Sequence, residues 1–200
     1  LGLTATLKKS GDIEMAEQET IKTINGVDTQ ALEELIESVQ EDPSLAKSTL
    51  RVRNKWIKAD HSQTTVCDFY GAGQENSHEQ TFVMDAGEPL LIAGKDEAAS
   101  PMEYLLHSLA GCLTSTLVYQ AALRGIEIQE IESHLEGDLD VRGFMGISDK
   151  VRKGYSNIRA SFKVKTDEEN LEELKELTKF SAVFDAISNA TPIDIQVEKK

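Results

Sequence analysis

One stretch limits the fold more than any other. Between Ser100 and Arg124 the only formal charges are Glu103 and Arg124. Its ends carry helix punctuation. Ser100, Pro101 and Glu103 fit the N-cap, N1 and N3 positions of a capping box, with the proline where a missing N–H costs nothing. Gly125 supplies the stop. A helix of ~24 residues is ~36 Å long. One that apolar on every side has to be covered on most of its surface. A chain of 200 residues barely suffices, so a second copy is expected to help.

After Gly125 the period changes to two. Ile131, Ser133, Leu135, Gly137, Leu139 and Val141 fall on one face, and Glu130, Glu132, His134, Glu136, Asp138 and Asp140 on the other. Further on, Ile158, Ala160, Phe162 and Val164 alternate with Arg159, Ser161, Lys163 and Lys165. An acidic and a basic outer face predict antiparallel neighbours. A helix with Leu171, Leu174, Leu177 and Phe180 inward should follow, capped by Thr166 or Asp167. Then come a shorter helix over 181–188 and a last strand through Ile193, Ile195 and Val197 after Pro192. Upstream, strands are expected at 49–57, 63–70 and 79–85, with a turn at Gly71-Ala-Gly73 and a short strand at 90–92. Asp28 should cap an amphipathic helix carrying Leu32, Leu35, Ile36 and Val39, ended by Pro43. Residues 1–27 show no pattern beyond a short candidate strand at 3–7. The organisation is therefore an N-terminal extension, 1–47, whose apolar stripe docks on the domain or on a second subunit, and an α+β domain, 48–200.

Charge narrows the partners. Acidic residues outnumber basic ones 35 to 21, for a net charge of -14, which repels nucleic acid backbones and anionic membrane surfaces. No apolar run reaches the ~20 residues of a membrane span, and no signal-peptide pattern is visible. Two cysteines, Cys67 and Cys112, fit no zinc or CxxC spacing, and so few suggest a reducing, cytoplasmic setting. No metal site and no cofactor are expected. The histidines are scattered, and His107, on the long helix, reads as a core or interface residue.

Cys112 lies about three turns into the long helix, beyond the reach of its dipole. Ser108, Ser115 and Thr116 share its side of the helix and can bond either the sulfur or carbonyls one turn back. A small core residue and a reactive thiol are both compatible with this spacing.

The segment Ser100-Pro-Met-Glu-Tyr-Leu-Leu-His-Ser-Leu-Ala-Gly-Cys112 resembles the signature helix of the OsmC/Ohr family. The order of elements from residue 49 to 197 resembles that family too. The resemblance implies an intertwined homodimer in which antiparallel sheets wrap two long central helices. It also implies a thiol peroxidase for oxidative stress defence, in which a cysteine, here Cys112, attacks an organic hydroperoxide and is oxidised to a sulfenic acid. Three features depart from the family pattern. The resolving cysteine would stand within Phe180-Ser-Ala-Val183, where Ser181 is the nearest polar replacement. The activating glutamate would stand ten residues before the cysteine, at Met102. Glu103, nine before, points ~180° away from Cys112 and serves the cap. The family's arginine would lie in an early loop, here Gly71-Ala-Gly-Gln-Glu-Asn76, which has none. An external thiol would then resolve Cys112. Unassisted, its thiol should sit at or above the ordinary range near ~8.5. The alternative is a non-catalytic binding protein holding a small apolar ligand at the dimer interface. Cys67, on a candidate strand, is expected to pack in the core or lie partly exposed rather than to pair with Cys112.

Overall fold

The computed structural model describes residues 22–169 and 171–200; the candidate strand at 3–7 lies outside them. A hairpin opens this part of the chain, with β1 (Thr23–Ile24) paired to β2 (Val27–Asp28). Asn25 and Gly26 turn it, both at positive φ, as a two-residue type I′ loop requires. An Asn-Gly pair between Ile24 and Val27 is a readable hairpin signal that the sequence reading passed over. Asp28 caps α1 (Thr29–Glu41) by accepting the Ala31 N–H, as expected. Pro43 opens a 3-10 turn, Pro43–Ala46.

The first sheet is antiparallel. Its middle strand is β5 (His61–Gly71), with β6 (Gln74–Ala86) on one side and β3 (Thr49–Leu50) and β4 (Arg53–Lys58) on the other. The expected strand over 49–57 is thus broken at Arg51-Val52. The short strand expected at 90–92 is instead a 3-10 turn, Leu90–Ile92.

The long helix forms as its punctuation demands. In α2 (Pro101–Leu123) the Ser100 side chain accepts the Glu103 N–H, and Glu103 accepts the Ser100 N–H at 2.7 Å. At the far end Gly125 is left-handed, and the bonds Gly125 N to Ala122 O and Ile126 N to Ala121 O close a Schellman motif. Burial follows one stripe, Leu109, Leu113, Leu117 and Ala121, at the i, i+4 spacing of a single helix face, with Ala122 buried beside its end. Leu117, Ala121, Leu174 and Leu177 form the core, with Ile126, Ile128, Ile131 and Val164 packed against it. The opposite face, including His107 and Tyr119, is exposed in the single chain, and Leu105, one turn before Leu109, is 36% exposed. His107 is therefore not a core residue here.

The second sheet joins β7 (Ile128–Asp138) to β8 (Asn157–Thr166) with Glu130 opposite Lys165, Glu132 opposite Lys163 and Glu136 opposite Arg159. That is the acidic-to-basic register the alternation predicts. The apolar run stops short of Val141, which starts α3 (Val141–Phe144). Gly137 leaves room for the Tyr155 ring, whose hydroxyl donates to Met102 O at 2.8 Å and ties the 141–156 excursion to the start of α2.

Three expectations near the C-terminus need correction. Thr166 ends β8 and bonds Glu127 O, while α4 (Leu171–Leu177) begins later. Leu174 and Leu177 turn inward, but Leu171 and Phe180 are exposed, because α4 gives way to a 3-10 turn, Thr178–Phe180, that re-aims the chain. The last strand does not form. Residues 189–200 carry no regular structure, and Ile193, Ile195 and Val197 are 81%, 79% and 92% exposed. A strand needs a neighbour for its backbone groups, and this segment has none among the described residues. Among the described residues no helix is long and apolar enough to cross a membrane.

Candidate thiolate site

Two elements far apart in sequence build the site. Helix α2 presents Cys112, with Thr116 one turn further along, and α5 (Ala182–Ser188) meets it end-on. Ser181 is the N-cap of α5. It is 1% exposed, and its oxygen accepts the Phe184 N–H at 3.2 Å. A helix start leaves its first N–H groups without helical partners. Here each has a destination. Phe184 is served by Ser181, while the N–H groups of Val183 and Ala182 act on the Cys112 sulfur and lower its pKa. The Ser181 and Thr116 hydroxyls act in the same direction. Ser115 turns away and donates to Cys112 O.

These contacts decide the ionisation. Burial is the largest single influence on Cys112 and pushes its pKa up. The Ser181 hydroxyl, the Val183 N–H, the Thr116 hydroxyl and the Ala182 N–H together outweigh it, and the thiol lies below its ordinary value. Donors aimed at an anion favour the charged form. The expectation of an unassisted, raised thiol is therefore corrected. The family-type carboxylate and arginine are absent from their expected positions, but neutral donors take over the electrostatic task. Glu103 stays in its cap, where the Ser100 backbone and side chain lower its pKa.

Cys67 has the opposite setting. Its thiol donates to Asp68 Oδ2 at 3.1 Å and accepts from Arg53 Nη1 at 3.1 Å. The hydrogen bond to Asp68 and burial raise its pKa, and Arg53 offsets this only in part. Both cysteines are free and partly exposed. Cys67 sits where β5 loses register with both neighbours: Leu50 faces Phe69 but Arg53 faces Thr65, and Val66 faces Phe82 but Asp68 faces Ser77. Arg51 and Arg53, which the sequence reading did not single out, gather on Asp68 here, Arg53 at 2.7 Å.

Beside Cys112 runs an open groove of about 220 Å³, lined by Ser115, Thr116, Tyr119, Gln120 and Phe180. Among the described residues no group of three or more His, Cys, Asp or Glu is placed to hold a metal.

Solved structures with this arrangement of elements exist. An OsmC-like protein from Mycoplasma pneumoniae shares 15% identity at a TM-score of 0.51, over 71% of this chain and 89% of its own. A Psychrobacter arcticus protein named for osmotic stress induction and a detoxification response shares 14% at 0.50, over 68% and 85%. At such identity the likeness speaks for the fold. No curated protein sequence matches the chain significantly. The family model described as OsmC-like protein matches residues 94–196, which takes in α2, β7, β8, α4, α5 and both halves of the thiolate site. With just over half its length under that model, the chain belongs to the OsmC-like protein family.

Proposed function

We propose that this chain is a one-cysteine thiol peroxidase of oxidative stress defence, acting on small apolar hydroperoxides. The observation that carries the reading is the set of four donors on the Cys112 sulfur. The thiolate is the nucleophile in such chemistry, and its fraction at neutral pH sets the rate. The Cys112 thiolate attacks the distal oxygen of R–O–O–H. The O–O bond breaks, Cys112 becomes a sulfenic acid, and the leaving alkoxide takes a proton from water. With Ser181 where a resolving cysteine would stand, an external thiol condenses with the sulfenic acid, releasing water. A second thiol then exchanges out the mixed disulfide and returns Cys112. The same donors that favour the thiolate remain in place to hydrogen-bond the sulfenic oxygen.

Two free cysteines fit a reducing, cytoplasmic setting. We further propose a homodimer that covers α2 and the first sheet, because the single chain leaves Tyr119 on α2 and Leu50, Trp56, Phe82 and Val83 on the first sheet exposed. The binding-protein alternative draws on the aromatic groove beside Cys112, which would hold an apolar ligand without turnover.

Rapid mixing with cumene hydroperoxide and hydrogen peroxide, dithiothreitol in excess, separates the two. The peroxidase reading expects faster consumption of the organic peroxide, abolished by Cys112→Ser. Unchanged consumption in that variant, or none in the wild type, would sink it. Mass spectrometry after mild peroxide treatment should find a Cys112 sulfenic acid or a mixed disulfide with added thiol.

A further inference from the structure

Residues 141–156 reverse the charge of the molecule. The whole chain stands at -14, yet this excursion holds Arg142, Lys150, Arg152 and Lys153 against Asp149 alone. Arg142 is taken by Asp140. Lys150, Arg152 and Lys153 are exposed and form no ion pair among the described residues. The same excursion leaves Phe144, Met145 and Ile147 60%, 50% and 68% exposed. Its shape is set by its own contacts. Met145 N–H donates to Val141 O and Ile147 N–H to Arg142 O, both at 2.9 Å. Gly143 lies so close to the returning limb that a Cβ there would meet Arg152 O at 2.5 Å. Tyr155 then fastens that limb to the start of α2.

Helix α1 has the complementary character. It carries Glu33, Glu34, Glu37 and Glu41 and no basic residue. These carboxylates form no ion pair among the described residues. Leu35 and Ile36 on the same helix are 56% and 38% exposed. Glu33 lies ~60° and Glu37 ~100° round the helix from Ile36, on the same side. Other acidic elements already face cations: β7 lies against the basic residues of β8, and Asp68 and Glu75 hold Arg51 and Arg53. The two patches belong to opposite ends of β7. Asn25, in the hairpin that leads into α1, bonds Ile126 and Ile128. The excursion leaves from Asp138, ten residues on, or ~33 Å away at the rise of a strand. No ion pair joins α1 to the excursion among the described residues.

We propose that the 141–156 excursion docks on helix α1 of a second copy, with Phe144, Met145 and Ile147 against Leu35 and Ile36 and the basic side chains facing the glutamates. Each copy offers both halves, so a two-fold axis makes the contact twice and closes the assembly. The apolar side chains supply most of the affinity. Rim charges contribute little individually, but they decide which surfaces meet. At physiological salt the screening length is about 8 Å, so the local sign of each patch outweighs the net charge of the chain. Helix α1 lies outside the residues 94–196 that match the family model, so the contact belongs to this chain and not to the family's common core. It rests on the homodimer proposed above and adds to the cover of α2 and the first sheet.

Sedimentation of the full-length chain tests this with two doubly substituted variants. One carries Arg152→Glu and Lys153→Glu, the other Glu33→Lys and Glu37→Lys. All four side chains are exposed in the single chain, so the fold should stand, which thermal melting verifies. Each variant alone sets like charges against each other at both contacts and should weaken its dimer about tenfold. A mixture of the two should form a mixed dimer as tight as the wild type, because each copy then meets opposite charge at both contacts. A contact made within one chain would show no such rescue. Either variant dimerising as the wild type does, or no rescue on mixing, would overturn the proposal and leave the homodimer standing. A wild type that stays monomeric would end both. Binding of the wild type to phosphatidylserine vesicles, lost in the first variant while both variants dimerise normally, would overturn the proposal in favour of a lipid surface.

Discussion

At the scale of single residues the two cysteines are held on opposite sides of their ordinary ionisation. Cys112 is stabilised as thiolate by four donors despite burial, whereas Cys67 is kept as thiol by its bond to Asp68 and by burial, against Arg53. Alkylation should show this directly. With iodoacetamide at neutral pH, peptide mapping should find Cys112 modified well before Cys67; the reverse order would contradict the assignment. The pH profile follows from the sign of the shift. Cys112 reactivity should rise and level off at lower pH than that of a free thiol, and Cys67 reactivity at higher pH. Stability is linked in the same sense. Because the native state lowers the Cys112 pKa, its contribution is fully present above the unfolded thiol value and fades as pH falls through the native one. Ser181 carries a second prediction. Ser181→Ala removes one donor from the sulfur and the cap of α5, so the Cys112 pKa should rise and peroxide consumption should slow roughly 3–10-fold. Ser181→Thr keeps the hydroxyl and should restore both, which a mere loss of capping stability would not explain. Ser181→Cys should allow peroxide to form an internal disulfide between Cys112 and the introduced thiol, visible as a two-proton mass loss.

Elements explain why part of this was legible and part was not. The limits of α2 could be read from Ser100, Pro101, Glu103 and Gly125, because caps are local chemistry. The pairing of β7 with β8 could be read from alternating charge, because the period of a strand is fixed. The donors on Cys112 could not. Two of them are backbone N–H groups of α5, some seventy residues downstream, and no side-chain pattern reports which sulfur a helix start will meet. Ser181 was visible only as an absence of cysteine. The Asn25 contact was missed for a different reason, since an Asn-Gly turn reads as punctuation. In the fold its side chain does more. Asn25 Nδ2 donates to Ile126 O at 3.0 Å, and its Oδ1 accepts the Ile128 N–H at 2.7 Å. The amide thus acts as a one-residue strand that clamps the N-terminal hairpin to the start of β7. Asn25→Gly keeps the left-handed turn and deletes the clamp. It should cost about 1–3 kcal/mol in urea unfolding, and a loss below a few tenths would show that the hairpin is held by other means.

For the whole molecule, one chain is an incomplete solution to its own sequence. Helix α2 buries one face, and the first sheet leaves Leu50, Trp56, Phe82 and Val83 exposed. The C-terminal segment alternates Ile193, Ile195 and Val197 with Asp194, Gln196 and Glu198, the period of a half-buried strand, yet pairs with no strand among the described residues. An alternating strand without a partner and sheets with open edges are complementary defects. A second copy cures both if its sheet edge accepts the tail and its α2 covers the exposed helix face. Sedimentation should therefore give a dimer at micromolar concentration. Deletion of residues 191–200 should weaken it, because strand pairing and the burial of three β-branched side chains are lost together. Hydrogen exchange supplies the independent check. In the intact protein the amides of 193–197 should be protected well beyond what an exposed segment allows, and dilution towards monomer should abolish that protection. A stable monomer whose tail amides exchange at free-chain rates would defeat the assembly, and the exposed faces of α2 and of the first sheet would then need another partner.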